Sequence, residues 1–291
     1  MTSPKLAFVG FSDIGLSRPN NEDVWIAVPE MGLFALADGM GGHQAGEVAA
    51  KVAIEELCRA METISSDPFL ALRLAIEKAN QKVYEEGQKH HAFNGMGTTL
   101  CCLYWTQEAV IYAHVGDSRI YRFRNNKLEQ LTQDHSLFAK WLSQSKSSET
   151  PYPYKNVITR AVGTAKRVTP EIALATYEPG DLFILCSDGL TDTVAFQDIE
   201  KIIDRSDSLE IMAARLIEKA KIKGSHDNIT VLLIQHVSDD LSRQQRNDPT
   251  RSKSIAGHVG RSARAPSQSF QRPSFWNKSQ KNTSNCASKY S

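Results

Sequence analysis

Four acidic stretches, far apart in the chain, each place a carboxylate where a predicted β-strand meets a loop. They read RPNNED (18–23), LFALADGMGG (33–42), LFILCSDGL (182–190) and SHDNITVLLI (225–234). In the last three, Asp38, Asp188 and Asp227 stand at the edge of an apolar, β-branched run. Because strand ends direct their side chains outward together, we expect the fold to gather these carboxylates at one site.

A cluster of carboxylates repels itself by roughly several kcal/mol unless a cation neutralises it. No Lys or Arg lies within two residues of Asp38, Asp188 or Asp227. A single Asp after a strand is more often a turn or helix cap than a ligand, but four such stretches favour a metal site. Since oxygen-only ligands select a hard cation, the pattern predicts Mg²⁺ or Mn²⁺.

The chain divides into two regions of different composition. Apolar patterning extends from about Leu6 to Val237 without a long Gly/Pro/Ser-rich interruption, which predicts one domain over residues 1–237. Residues 238–291 contain ten Lys or Arg against three Asp, a net charge of +7, whereas the preceding residues carry −6. We expect a basic, disordered C-terminal tail; the alternative is a tether that binds nucleic acid, an anionic membrane or an acidic partner.

Membrane and export signals are not evident. No stretch approaches the roughly 18–20 consecutive apolar residues of a membrane span, and the N-terminal sequence lacks the pattern of a signal peptide. The five cysteines form no CxxC pair, and Cys58, Cys101, Cys102 and Cys186 lie in apolar segments. We therefore expect free thiols in a cytoplasmic, monomeric protein.

The predicted elements follow the order strands, two helices, strands, two helices and a final strand. Asp67 is expected to cap the second helix, with Pro68 at its first position. This order predicts an α+β fold with two antiparallel sheets packed together and covered by helices. Four strands between residues 98 and 131 predict a meander, with a tight turn at Asn125–Asn126. Residues 134–150, followed by Pro151 and Pro153, predict a short helix and a polar loop that can act as a mobile flap.

Eight motifs make the chain similar to the metal-dependent protein phosphatases of the PP2C type, in their compact bacterial form. In chain order they are SRPNNED, ADGMGGHQAGEVAA, GMGTTL, AHVGDSRIY, LTQDHS, NVITRAVG, PGDLFILCSDGL and SHDNITVLLI. The similarity covers about Phe8 to Gln235. It implies a four-layer α-β-β-α sandwich with a two-metal centre at one end, in agreement with the layers predicted from the order of elements.

The resemblance also implies a set of core metal ligands. Asp38 is expected to bridge two ions, with the Gly39 carbonyl and Glu22 completing one of them. Asp188 and Asp227 are expected to complete the other. The glycines of ADGMGG fit this arrangement because they free the backbone beside the ions.

Further residues have implied roles around that core. Asp23 resembles a ligand that acts through metal-bound water, Asp117 resembles the ligand of a weaker third ion, and Arg18 resembles the phosphate clamp. Met40 occupies the position where animal members of the family carry a histidine proposed as the general acid. His43 is the candidate here, and a metal-bound water is the alternative.

Two histidines and one glycine-rich strand are assigned supporting roles. His135 and His226 are interpreted as residues that orient or stabilise the site in preference to direct catalysis. The GMGTTL strand is interpreted as tight packing near the site and not as chemistry.

The implied activity is hydrolysis of phosphoserine and phosphothreonine in proteins, by direct attack of a hydroxide that two divalent ions share. No cysteine has the basic, Gly-rich loop of a cysteine-dependent phosphatase. The expected partners are phosphorylated proteins and cytoplasmic Ser/Thr kinases. The alternatives are an inactive phosphatase fold used for binding or sensing, and a regulator of a phosphorylated anti-sigma antagonist. Tyr152–Pro153 replaces the usual His-Pro step of the flap, which leaves substrate preference open.

Overall fold

The computed structural model describes residues 4–41, 45–63, 67–144, 157–205 and 207–237. Three predictions lie outside these residues: the role of His43, the polar loop of the flap from residue 145 to 156, and the nature of the tail from Ser238 onward. Within the described ranges, no helix is both long and apolar enough to cross a membrane.

Strands and helices alternate along the chain much as the apolar patterns predict. The strands are β1 (Leu6–Asp13), β2 (Asp23–Val28), β3 (Leu33–Met40), β4 (Gly97–Thr98), β5 (Leu100–Trp105), β6 (Val110–Val115), β7 (Arg119–Arg124), β8 (Lys127–Gln130), β9 (Glu171–Ala175), β10 (Leu182–Cys186) and β11 (Ile229–His236). The helices are α1 (Ala45–Thr63), α2 (Pro68–Lys89), α3 (Leu137–Gln144), α4 (Asp188–Thr191), α5 (Phe196–Ile203) and α6 (Leu209–Ile222), with a 3₁₀ turn at His91–Phe93.

The strands form two antiparallel sheets that pack face to face. The first has the order β1-β11-β10-β7-β8, and the second has the order β2-β3-β5-β6-β9, with β4 paired to β3. Helix α6 packs on β1 and β11 of the first sheet, while α1 packs on β2 and β3 of the second and contacts α2. The predicted α+β sandwich of α-β-β-α layers is confirmed.

Strand β11 shows how the two cores share one strand. Leu232 and Ile234 join the apolar cluster between the sheets. Val231 and Leu233 point the other way, into the cluster beneath α5 and α6. A strand buried on both faces needs apolar residues at every position, which explains why this segment reads as a continuous apolar run and does not alternate.

The predicted meander is wrong in one connection. β7 and β8 form the expected hairpin, with positive φ at Asn125 and Asn126, but β6 pairs with β5 and β9 while β7 pairs with β10 in the other sheet. The link between β6 and β7 therefore crosses between the sheets. Gly116 begins this link at φ +107°, and a Cβ there would lie 2.7 Å from Thr99 Cγ2. Apolar periodicity predicts that a strand forms but does not identify its partner.

Two local predictions are confirmed. Asp67 caps α2, since its Oδ1 accepts hydrogen bonds from the N–H groups of Phe69 (3.0 Å) and Leu70 (3.1 Å), and Pro68 follows at the first helical position. The four cysteines in the described part of the chain are free and buried.

Candidate metal centre

A cavity of about 500 Å³ opens where strands of both sheets end. Seven of the residues selected from the sequence line it: Arg18, Glu22, Asp38, Gly39, Asp117, Asp188 and Asp227. In an antiparallel pair the end of one strand meets the start of the next. Asp38 near the end of β3 and Glu22 before β2 therefore meet at one edge, as do Asp188 after β10 and Asp227 before β11.

Hydrogen bonds from two threonines hold the backbone of Asp38 in place. The Asp38 N–H donates to Thr99 Oγ1 at 3.0 Å, and its carbonyl accepts from the Thr99 N–H and the Thr98 hydroxyl, both at 2.8 Å. Thr99 also lines the cavity and exchanges a hydrogen bond with the Ser118 hydroxyl at 2.7 Å. Sequence reasoning treated GMGTTL as packing alone and missed this role, although its two adjacent threonines were the available signal.

Gly39 is required by close approach of the chain. A Cβ at this position would overlap the carbonyl of Gly46 in the first turn of α1 and would lie 2.9 Å from the Glu22 carbonyl. Gly46 in turn has no room for a Cβ because the Glu22 carboxylate lies against it. Two glycines thus allow Glu22 and the Gly39 backbone to reach the same side of the cavity.

Asp23 is buried and does not line the cavity. It faces Asp38 across the β2–β3 register and is 8% exposed. Its Oδ2 accepts hydrogen bonds from the Thr230 hydroxyl (2.6 Å) and the Ser187 hydroxyl (2.9 Å), whereas its Oδ1 is buried with no hydrogen-bond partner in the described structure. Burial is the main cause that raises the pKa of Asp23.

Asp188 and Asp227 approach from the other sheet. Asp188 begins α4, a four-residue helix that the sequence analysis did not predict, and its Oδ1 is buried without a hydrogen-bond partner among the described residues. Asp227 Oδ1 accepts from the Asn228 N–H at 2.8 Å. Asp227 Oδ2 accepts from Arg18 Nη2 at 2.7 Å, so the tertiary structure supplies the basic neighbour that the local sequence lacks.

Asn228 is a second residue that sequence reasoning missed. Its Nδ2 donates to the carbonyls of Ile14 and Asn20, both at 3.0 Å, and its Oδ1 accepts from the Glu22 N–H at 2.8 Å. This buried amide thereby holds the loop that carries Arg18 against the start of β11. Its place directly after Asp227 in SHDN was the only sequence signal.

Asp117 lies on the link between the sheets, on another side of the cavity. Partial burial, and then the charge of Asp134, raises the pKa of its carboxyl to about 6. Asp117 lies at the cavity because the link between β6 and β7 crosses from one sheet to the other. In a β6–β7 hairpin, Asp117 would have stayed at the edge of a single sheet.

The donor set fits divalent cations. Burial raises the pKa of both Asp38 and Asp188 well above the ordinary value, and the next causes are the charges of neighbouring carboxylates, among them Asp117, Asp227 and Asp23. The cavity thus holds carboxylates that resist ionisation together, and Asp188 adds a buried oxygen without a partner. A bound cation of high charge would relieve the repulsion and use that oxygen.

Thiol chemistry does not suit the described cysteines. None of the four lines the cavity. Burial raises the pKa of Cys58, Cys102 and Cys186 to about 12, and it raises the pKa of Cys101 as well. These groups stay protonated at neutral pH, so they cannot act as thiolate nucleophiles.

Comparisons with known proteins find protein phosphatases. Residues 19–223 match the family model described as protein phosphatase 2C. A serine/threonine phosphatase, stp, of Listeria monocytogenes is 35% identical over 247 residues, which is 81% of this chain and 97% of that protein. The structure of PstP/Ppp from Mycobacterium tuberculosis, a serine/threonine phosphatase, superposes with a TM-score of 0.74 at 33% identity, covering 80% of this chain and 99% of the other. A structure of the PstP catalytic domain with two manganese ions gives a TM-score of 0.72 at 32% identity, with coverage of 80% and 99%.

Proposed function

This chain belongs to the protein phosphatase 2C family, and on that premise we propose that it is a metal-dependent phosphatase that hydrolyses phosphoserine and phosphothreonine in proteins. The observation that carries the proposal is the gathering of six predicted ligand residues and Arg18 around one cavity. An inactive fold used only for binding would be expected to have lost part of this set, and Asp38, Asp188, Asp227 and Arg18 are all present.

The ligand assignments follow the donors that line the cavity. Asp38, Glu22 and the Gly39 carbonyl would hold one ion, and Asp38, Asp188 and Asp227 would hold the other. Asp23 does not line the cavity, which supports indirect contact for its carboxylate. When bound, two divalent cations, Mn²⁺ or Mg²⁺, supply Lewis-acid activation of water for in-line attack on phosphorus. Asp117 is assigned to a third, weaker ion.

Arg18 is suited to receive the phosphate group. Its side chain is half exposed and donates one Nη2–H to Asp227. A guanidinium has five N–H donors in a planar fork, so further N–H groups stay available after this contact. Two phosphate oxygens can accept hydrogen bonds from them at the same time. A proton must reach the departing serine or threonine oxygen, and we assign its donor to His43 or a water molecule.

The physiological setting is a finer part of the proposal. We propose that the enzyme opposes cytoplasmic Ser/Thr kinases by acting on their phosphorylated products. The basic composition of residues 238–291 supports contact between the tail and an acidic partner or nucleic acid, since a net charge of +7 attracts polyanions.

Metal removal tests the proposed activity. Purified protein is expected to hydrolyse a phosphothreonine peptide in Mn²⁺ or Mg²⁺ and to lose activity in EDTA. The assigned ligand atoms are all oxygens, and without a bound cation they cannot activate water. Phosphate release before chelation, after chelation and after metal is restored provides the measurement. Full activity after rigorous chelation would refute the two-metal mechanism.

Deleting Ser238–Ser291 is expected to leave hydrolysis of p-nitrophenyl phosphate within about twofold of the full chain. The reason is that every described residue that lines the cavity precedes β11. The last described residue, Val237, also bonds to the residue before the first strand, since its N–H donates to the Lys5 carbonyl at 2.9 Å. Any tail effect should appear only with macromolecular partners and should fade as salt approaches ~0.5 M. Loss of small-substrate activity on truncation would show that the predicted boundary at residue 237 is misplaced.

A further inference from the structure

His135 occupies a buried position between two segments that contribute to the cavity. Its backbone N–H donates to the Gly116 carbonyl at 2.9 Å, next to Asp117. Its own carbonyl accepts from the Thr159 N–H at 2.6 Å, next to Ile158, which lines the cavity. The backbone of His135 therefore connects the Asp117 link to the segment after the flap.

The imidazole ring makes a second contact with the same glycine. His135 Nδ1 accepts from the Gly116 N–H at 3.1 Å, so both backbone polar groups of Gly116 are bonded to His135. Because Nδ1 accepts, the proton of the neutral ring is on Nε2, where Glu171 Oε1 lies 3.0 Å away and accepts it. Arg160 Nη1, 3.0 Å from the same nitrogen, then donates to the Thr169 carbonyl (3.1 Å) and to Glu171 Oε1 (3.4 Å) and not to the ring. Burial lowers the pKa of His135 to about 4, with the stacked ring of His114 as the next cause, so the acceptor persists at neutral pH.

His114, His135 and Glu171 could instead form a metal site, since one ligand atom from each lies within 4.8 Å of the others. Two contacts oppose that reading. The Nδ1 lone pair of His135 is taken by Gly116, which leaves Nε2 protonated. The Arg160 guanidinium also lies 3.0 Å from His135 Nε2 and 3.4 Å from Glu171 Oε1, so a positive charge already occupies the position that a metal ion would take.

Gly116 controls the placement of Asp117. It adopts φ +107°, a conformation that few other residues reach, and Thr99 packs against it on one side. With both of its backbone groups held by His135, the next residue in the chain has little freedom to move away from the cavity. The direction of the Asp117 carboxylate therefore depends on the His135 ring nitrogen that faces Gly116.

Resting on the proposed function, we propose that His135 is a positioning residue for Asp117. Its Nδ1 acceptor and backbone N–H hold Gly116 so that the Asp117 carboxylate faces the cavity. This role predicts effects on the weakly held cation and on substrate turnover, with little effect on the two core ions. A residue that supported only the fold would instead disturb all three together.

Two amide variants of His135 distinguish the role of ring nitrogen Nδ1 from that of Nε2. In His135→Asn, Oδ1 can replace the Nδ1 acceptor, whereas in His135→Gln the amide reaches the Nε2 position and leaves the Gly116 N–H without its acceptor. We expect His135→Gln to weaken the low-affinity Mn²⁺ site in calorimetry by roughly 10- to 100-fold, the range seen for residues that orient ligands. His135→Asn should stay within about threefold of wild type, and both variants should keep the tight Mn²⁺ pair.

Glu171→Gln is the matched control, since it keeps an oxygen for His135 Nε2–H while removing the charge, and low-affinity Mn²⁺ binding should stay close to wild type. Equal losses in His135→Asn and His135→Gln, or loss of the tight pair in His135→Gln, would overturn the positioning role.

Nitrogen NMR of the metal-free wild-type protein gives a test that needs neither folding of a variant nor substrate. The His135 ring is expected to be neutral with its proton on Nε2 at neutral pH, and the Gly116 amide is expected to be protected from hydrogen exchange. A proton on Nδ1, or rapid exchange at Gly116, would disprove the inference. Failure of the proposed function would look different: the tautomer and the Mn²⁺ affinities would be as expected, but the wild-type protein would not hydrolyse phosphopeptides.

Discussion

Replacing Asp38 or Asp188 with asparagine is expected to lower turnover on a phosphothreonine peptide by about 10³-fold or more. Each substitution removes one negative charge from the donor set and exchanges a carboxylate oxygen for a neutral amide. Asp188 should be especially sensitive because its Oδ1 is buried without a hydrogen-bond partner in the described structure. Steady-state kinetics at saturating Mn²⁺, together with calorimetry of Mn²⁺ binding, would measure both effects.

Asp117→Ala is the comparison for these variants, since we assign Asp117 to the weaker third ion. It should spare tight binding of the core pair. If Asp117→Ala abolished tight binding while Asp188→Asn left it intact, the ligand assignment would be wrong.

Melting temperatures separate a metal ligand from a residue that stabilises the fold. In metal-free protein, the raised pKa values of Asp38 and Asp188 mean that their ionisation opposes folding: stability falls as pH rises from the ordinary carboxyl pKa of 3.8 through the folded-state pKa. Asparagine cannot ionise, so the variants in EDTA at neutral pH should melt at the wild-type temperature or higher. Mn²⁺ should stabilise wild type more than either variant. A large fall in melting temperature in EDTA would indicate a structural role instead.

Arg18→Ala is expected to reduce kcat/KM by an amount on the order of 2–4 kcal/mol, or roughly 30- to 900-fold, even with p-nitrophenyl phosphate. The substitution removes a planar, charged donor at the rim of the cavity. A small substrate makes few contacts beyond its phosphate, so the loss should not depend on a protein substrate. Arg18→Lys should recover only part of the activity, since an ammonium keeps the charge but not the paired donors.

The contact between Arg18 and Asp227 offers a second interpretation, in which Arg18 holds a metal ligand and does not bind phosphate. Removing a positive charge beside Asp227 should leave Mn²⁺ affinity unchanged or increase it if Arg18 binds phosphate. A loss of tight Mn²⁺ binding in Arg18→Ala, with the reduction in kcat/KM restored by excess Mn²⁺, would favour the ligand-holding role.

Much of the architecture was accessible from local signals. The apolar run that becomes β11, the Asp67–Pro68 start of α2 and the Asn125–Asn126 turn were all predicted with nearly the observed bounds. The cap and the turn depend on interactions between residues close in the chain, and the apolar run of β11 reflects burial on both of its faces. The path of the link that begins at Gly116 could not be predicted in this way. The sheet that β7 joins is decided by its pairing with β10, and no residue between 116 and 118 specifies that sheet.

The sequence by itself determined the acidic residues at strand ends, and with them the kind of ion and the reaction that the chain can support, because ligand chemistry depends on residue type and on where a strand stops. Only the tertiary structure decided how those residues are held. Asn228 holds the loop that carries Arg18, Thr99 fixes the backbone of Asp38, and His135 holds Gly116 beside Asp117. These contacts join residues from 19 to 208 positions apart in the chain, and packing of the two sheets is the physical process that brings them together.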